Sequence, residues 1–256
     1  MPWGKRALSI MVSRFQVHIW AGLLAGMVAF GPSPASSQSA LLEPVAGSFN
    51  ERLMDRVPTS GRMLVGLHLG IPSGRFDPGQ IVLPARSQAD GGSICLRLAT
   101  RDGRYRAIAN YQLPAGVAGE RTLSLPTRVG EQLKTMAAND FAVNSVVAAQ
   151  CDEAADGLLV PVRLPGARGN DVLTVAVNAA DGTVAARLLS ADGKSLTGSA
   201  VRCVPPGPDH RIVFSHLCSL PLGASVPAGR AVLEVTIIEL TDGRSIRRYD
   251  IELPQR

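Results

Sequence analysis

Among residues 38–256, His68, His210 and His216 are the histidines that could act as bases near neutral pH. A hydrolase needs an activated nucleophile with such a base in reach. Asp209-His210 and Ser215-His216 put suitable groups side by side. Neighbours on a strand point to opposite faces, so adjacency alone does not make a catalytic pair. His68 sits in Leu67-His68-Leu69 and reads as a strand residue. No Ser occupies a Gly-x-Ser-x-Gly elbow. A hydrolase assembled around His210 or His216 is therefore the alternative expectation, and a non-enzymatic protein the leading one.

Cys95, Cys151, Cys203 and Cys218 could bind metal or pair as disulfides. A metal site from Cys203, His210, His216 and Cys218 lacks the close ligand pairs of zinc sites. An even count in an exported chain reads as two disulfides, with three pairings open. The local pairing, Cys95 to Cys151 and Cys203 to Cys218, is preferred because each bridge stays within one half of the chain. In a chain-entropy treatment these closures stabilise by about 4 and 3 kcal/mol.

Arg97, Arg101, Arg104 and Arg106 crowd one hairpin. Four guanidinium groups there could grip carboxylates or phosphates on an acidic partner, because Arg donates in a fork. The competing reading is a solvated outer face. Asp152-Glu153 reads as a solvated loop. Neither a phosphate-binding loop nor a calcium loop is present, so the sequence implies no cofactor.

The elements that position these residues start after a leader. Lys5, Arg6 and Arg14 precede the apolar run Val17–Phe30, and Pro32, Pro34 and Ala35-Ser36-Ser37 follow it. This predicts a signal peptide over 1–37, cut after Ser37, with Ala35 and Ala40 as alternatives and Met11 as a possible start. The run has 14 residues, and a spanning helix needs about 20. No membrane span is expected after cleavage. Three of the 26 basic side chains lie in the leader, which leaves 23 against 21 acidic ones. A net charge of +2 removes the electrostatic argument for nucleic acid. Both Trp residues also belong to the leader. The few remaining aromatics disfavour sugar platforms and base stacking.

Six Asp-Gly steps punctuate the rest: 90–91, 102–103, 156–157, 181–182, 192–193 and 242–243. Asp-Gly suits the positive φ of tight turns, and apolar alternation flanks several of them. The pattern predicts an all-β fold with one or two short helices. With Arg101 opposite Arg104, Ile94, Leu96 and Leu98 share a face with Tyr105, Ala107, Ala109 and Tyr111. Cys95 then falls on the basic face, where its bridge would staple an edge or loop. A three-residue loop at Asp242-Gly243 places Leu233, Val235 and Ile237 with Arg247, Tyr249 and Ile251. Further strands are expected at 172–178, 184–190, 194–197 and 211–217. The recurrences Val45, Phe49, Leu53, Val57 and Val129, Leu133, Met136, Ala137 predict the two helices.

A boundary near Leu164–Asn170 separates a 38–60 linker or helix and a 61–165 domain from a 166–256 domain. Both sizes suit an immunoglobulin-like β-sandwich. The Cys95–Cys151 separation resembles the bridge of antibody domains, but the Trp that packs on such a bridge is absent. The expected protein is periplasmic or secreted. It binds an unknown protein partner or supports an assembly in a Gram-negative envelope.

Overall fold

Apolar and polar residues alternate through most of the chain, and these stretches fold as strands. The computed structural model describes residues 41–53, 64–84, 91–115, 119–179, 182–205, 214–239 and 243–255. The expected leader, Val57 and His210 lie outside them. In chain order the first strands are β1 (Leu41–Leu42), β2 (Asn50–Leu53), β3 (Leu64–Ile71), β4 (Ile81–Pro84), β5 (Gly92–Thr100), β6 (Tyr105–Leu113) and β7 (Glu120–Leu123). Helix α1 (Gly130–Thr135) follows, then β8 (Phe141–Val147), β9 (Leu158–Leu159), β10 (Arg168–Val177) and β11 (Thr183–Leu189). The last are β12 (Val201–Arg202), β13 (His216–Pro221), β14 (Gly229–Glu239) and β15 (Gly243–Leu253). The fold is all-β.

The described strands form three sheets: β1-β7-β4, β13-β10-β3, and a nine-stranded sheet β12-β11-β14-β15-β9-β8-β5-β6-β2. Each small sheet shares a core with one end of the large one. Ile94, Leu96, Tyr111 and Val143 pack with Ile81, Leu83 and Leu123. At the other end Val184, Leu188, Leu233 and Val235 pack with Leu67, Leu69, Leu173 and Val175. Each such side chain contributes roughly 1.5–3 kcal/mol by leaving water.

The expected boundary near residue 165 does not part these sheets. β10, which follows it, pairs antiparallel with β3, which precedes it: Leu173 with Leu69, Val175 with Leu67. Residues 38–256 form one unit. At Gly70 the two strands approach so closely that a Cβ would lie 2.7 Å from the Arg168 carbonyl oxygen, and φ there is +75°. Only glycine fits that position without strain.

The β5–β6 register is the one read from the alternation: Ile94 faces Tyr111, Leu96 faces Ala109 and Leu98 faces Ala107, and all six are buried. The ladder ends sooner than expected. Thr100 Oγ1 accepts from Tyr105 N at 3.1 Å, and Gly103 N donates to Thr100 O at 2.7 Å, so Arg101–Arg104 form the loop. In the β14–β15 hairpin, Leu233 pairs with Tyr249, Val235 with Arg247 and Glu239 with Gly243. That is the expected face, with three residues between the strands; those residues, 240–242, lie outside the described set. The strands on either side of Asp181-Gly182, β10 and β11, enter different sheets; Asp181 itself lies outside the described residues. The strand expected over 211–217 is described from His216 and runs to Pro221.

One helix is where the spacing put it. α1 buries Leu133, and its end is closed by Met136 N donating to Leu133 O. The helix expected over 45–57 is a correction. Residues 43–49 are turn and loop, and β2 begins at Asn50. Gly47 takes φ +77°, which a helix cannot contain. A four-residue spacing is even, so Val45, Phe49 and Leu53 satisfy the period of two as well as that of 3.6. β6 offers a ladder that decides between them.

Candidate binding groove beside the Cys95–Cys151 bridge

β2 and β6 turn one face to the shared core and the other to a groove of about 600 Å³. The core-facing side anchors β2. Glu51 Oε2 accepts from Tyr105 Oη at 3.0 Å and from Thr127 Oγ1 at 2.5 Å, and Oε1 accepts from Arg128 N at 2.8 Å. Burial works against this carboxylate, but the three donors and the Arg128 charge outweigh it and hold its pKa below the usual range.

The groove floor carries Asn50, Arg52, Arg106, Ile108 and Asn110. Its wall is the segment Ala149–Glu153. Register places Asn50 across from Ile108 and Arg52 directly across from Arg106. Asn110 is held on three sides. Its backbone N donates to Ser48 Oγ at 3.1 Å, its carbonyl accepts from the same hydroxyl at 3.2 Å, and its Oδ1 accepts from Ser93 Oγ at 2.8 Å. The wall is fastened twice. Cys151 is disulfide-bonded to Cys95, and Arg97 Nη1 donates to the carbonyls of Glu153 at 3.2 Å and Ala155 at 3.0 Å.

The four hairpin arginines do not act as one patch: three of them are engaged within the fold. Arg97 holds the wall. Arg101 stacks over the Phe214 ring at 5.8 Å and lies 3.8 Å from Asp140 Oδ1. Arg106 enters the groove, with Glu153 Oε2 at 3.6 Å. Arg104 alone is exposed. The hairpin face read as basic is largely covered: Cys95 is fully buried and lies in a core with Val146 and Leu159. Its bridge staples a loop, as expected, but under cover. Arg52 escaped the sequence reading because the helix expectation placed it on a different element. The β2–β6 register is what reveals it.

Cys203 is bonded to Cys218, which removes both sulfurs from the metal alternative. Among the described residues no three of His, Cys, Asp and Glu gather as metal ligands. Two disulfides suit an oxidising compartment. No described helix is long and apolar enough to cross a membrane.

Ser215 Oγ lies 2.8 Å from His216 Nδ1, yet it is also built into the backbone. It accepts from Ala179 N at 2.9 Å and lies 2.8 Å from Ala179 O. This hydroxyl ties Ser215 to the end of β10. His68 caps a strand. Its Nε2 accepts from Val143 N at 3.1 Å, on the edge of β8 away from β5. Burial holds its pKa down to about 4, against the hydrogen bond from Val143.

Elsewhere the large sheet shows how it accommodates arginines. Glu234 on β14 is 3% exposed and stands between Arg187 on β11 and Arg248 on β15. Arg187 Nε reaches Oε1 at 2.7 Å, and Arg248 Nε reaches Oε2 at 2.9 Å. Burial opposes the Glu234 charge, and the two guanidinium groups overcome it, so the carboxyl stays below its ordinary pKa.

No known protein family matches the chain. No curated protein matches it either.

Proposed function

We propose that the chain is an exported, non-enzymatic protein of a bacterial envelope that binds another protein. In this reading its two cores belong to two sandwiches of immunoglobulin-like size that share one sheet, and it resides in the periplasm or outside the cell. The observation that carries the reading is the edge of β15. β9 covers that edge at a single pair, Ile251 with Leu159. From Gly243 to Arg248 every residue is exposed, and no described strand lies on the side away from β14. Unpaired N–H and C=O groups on such an edge are a template for an added strand. Ile246 (44% exposed) and Ile238 (51%) offer apolar contact. Arg244 and Arg247 disfavour pairing with a second copy and favour an acidic strand.

The experiment places a photo-crosslinking residue at Ile246 in the exported protein and a control at Lys194. One specific adduct at 246, lost when Arg244 and Arg247 are both changed to Glu, is expected. Identical adducts at both positions, or none at 246, would remove the proposal. Intact mass of the recovered protein checks export, by loss of residues 1–37 and of four thiol protons.

A further inference from the structure

Arg52 and Arg106 occupy directly opposed positions on adjacent antiparallel strands. Cβ atoms of such pairs are about 5 Å apart, and like charges there repel. Among the described residues Arg52 has no ion pair. Arg106 has one, the 3.6 Å approach of Glu153, and its buried Nε has no hydrogen-bond partner. Where the same sheet brings Arg187 and Arg248 together, Glu234 stands between them. Over Arg52 and Arg106 there is instead the groove.

The groove is preformed on both sides. The bonds to Ser48 and Ser93 fix Asn110, so its Nδ2 donors are left for the groove. The bridge to Cys95 and the clamp from Arg97 fix the wall. A ligand therefore meets donors that need little reordering. Asp152 and Glu153 in the wall balance the two arginines in number. These carboxylates penalise a dianion such as phosphate more than a monoanion, and a single carboxylate can match the guanidinium fork with its two oxygens. Asn50, Asn110 and Gln150 carry amides that can donate to and accept from peptide groups.

We propose that this groove binds the carboxylate of a peptide chain, held by Arg52 and Arg106, with Asn50, Asn110 and Gln150 along its backbone. The site is independent of the β15 edge, and either can fail without the other.

The test titrates the processed, oxidised protein with acetyl-trialanine as free acid, the same peptide as C-terminal amide, succinate and inorganic phosphate, followed by backbone amide NMR. The free acid is expected to shift Ser48, Arg106 and Asn110 saturably, with a Kd of about 1 mM or tighter. The amide should bind about tenfold more weakly or worse. Arg52→Gln and Arg106→Gln should each weaken the acid about tenfold while thermal unfolding shows an intact fold. Succinate binding as well as the peptide would support the carboxylate site and make a free acid its source. Equal binding of acid and amide, tighter binding of phosphate, no shift with either acid, or an unchanged Arg52→Gln would each overturn the proposal.

Discussion

Acid should unfold this protein earlier than its carboxylates alone require, because of His68. The ring accepts a hydrogen bond from Val143 N and is fully enclosed, so the folded state holds it neutral. Its pKa falls from 6.5 to about 4. An unfolded chain takes up the proton near pH 6.5, and the folded one does so only near pH 4. The stabilisation is whole above about pH 6.5, declines as pH falls through that window, and stops declining below about pH 4. Linkage over this interval gives a loss of about 2 kcal/mol between pH 7.5 and pH 5. The assay is urea unfolding followed by circular dichroism, since both Trp residues lie in the expected leader. The comparison is His68→Gln, whose amide oxygen can still accept from Val143 N but does not titrate. Wild type should lose about 2 kcal/mol more than the variant over that range. Parallel profiles would show that the ring is not the buried neutral acceptor described above.

Other perturbations have distinct signatures. Gly66→Ala puts a Cβ 3.1 Å from His68 Nε2 and 3.2 Å from Val143 N. It should cost about 1–3 kcal/mol and flatten the His68 pH dependence, as read by the same urea titrations. Cys95→Ala with Cys151→Ala opens a closure of 56 residues, and Cys203→Ala with Cys218→Ala one of 15. Losses of about 4 and 3 kcal/mol are the entropic expectation, and equal or reversed urea midpoints would contradict it. Glu234→Ala leaves Arg187 and Arg248 facing each other. Both arginines reach solvent, so the loss should be about 1–2 kcal/mol and should grow as salt is lowered. Its carboxyl sits below the ordinary pKa, so wild type should lose this contribution as acid approaches the carboxylate range, while the variant does not.

What could be read from the sequence was what alternation dictates. Both hairpins place their apolar faces as read, because a one-residue slip would turn every side chain over. Leu133 marked a helix, because three- and four-residue steps together exclude a strand. The run from Val45 did not, because its steps were all even. The arginine cluster was legible as a face, but not what covers that face. The segment that buries Cys95 and engages Arg97 comes about 55 residues later in the chain. Arg52 came into view only once β2 had a partner. The pairing of β3 with β10 across residue 165 was hidden for the same reason of distance, since nothing local in Leu64–Ile71 says that its partner is β10.

The place of β3 governs the order in which the protein can be completed. Leu67 emerges early during synthesis or translocation, yet its sheet partner is Val175, about a hundred residues downstream. Until that stretch arrives, Leu67 and Leu69 belong to an unfinished layer, so the early half cannot mature by itself. A fragment ending near 165 would keep the Cys95–Cys151 link but leave β3 with a bare hydrophobic flank, open to unwanted self-association.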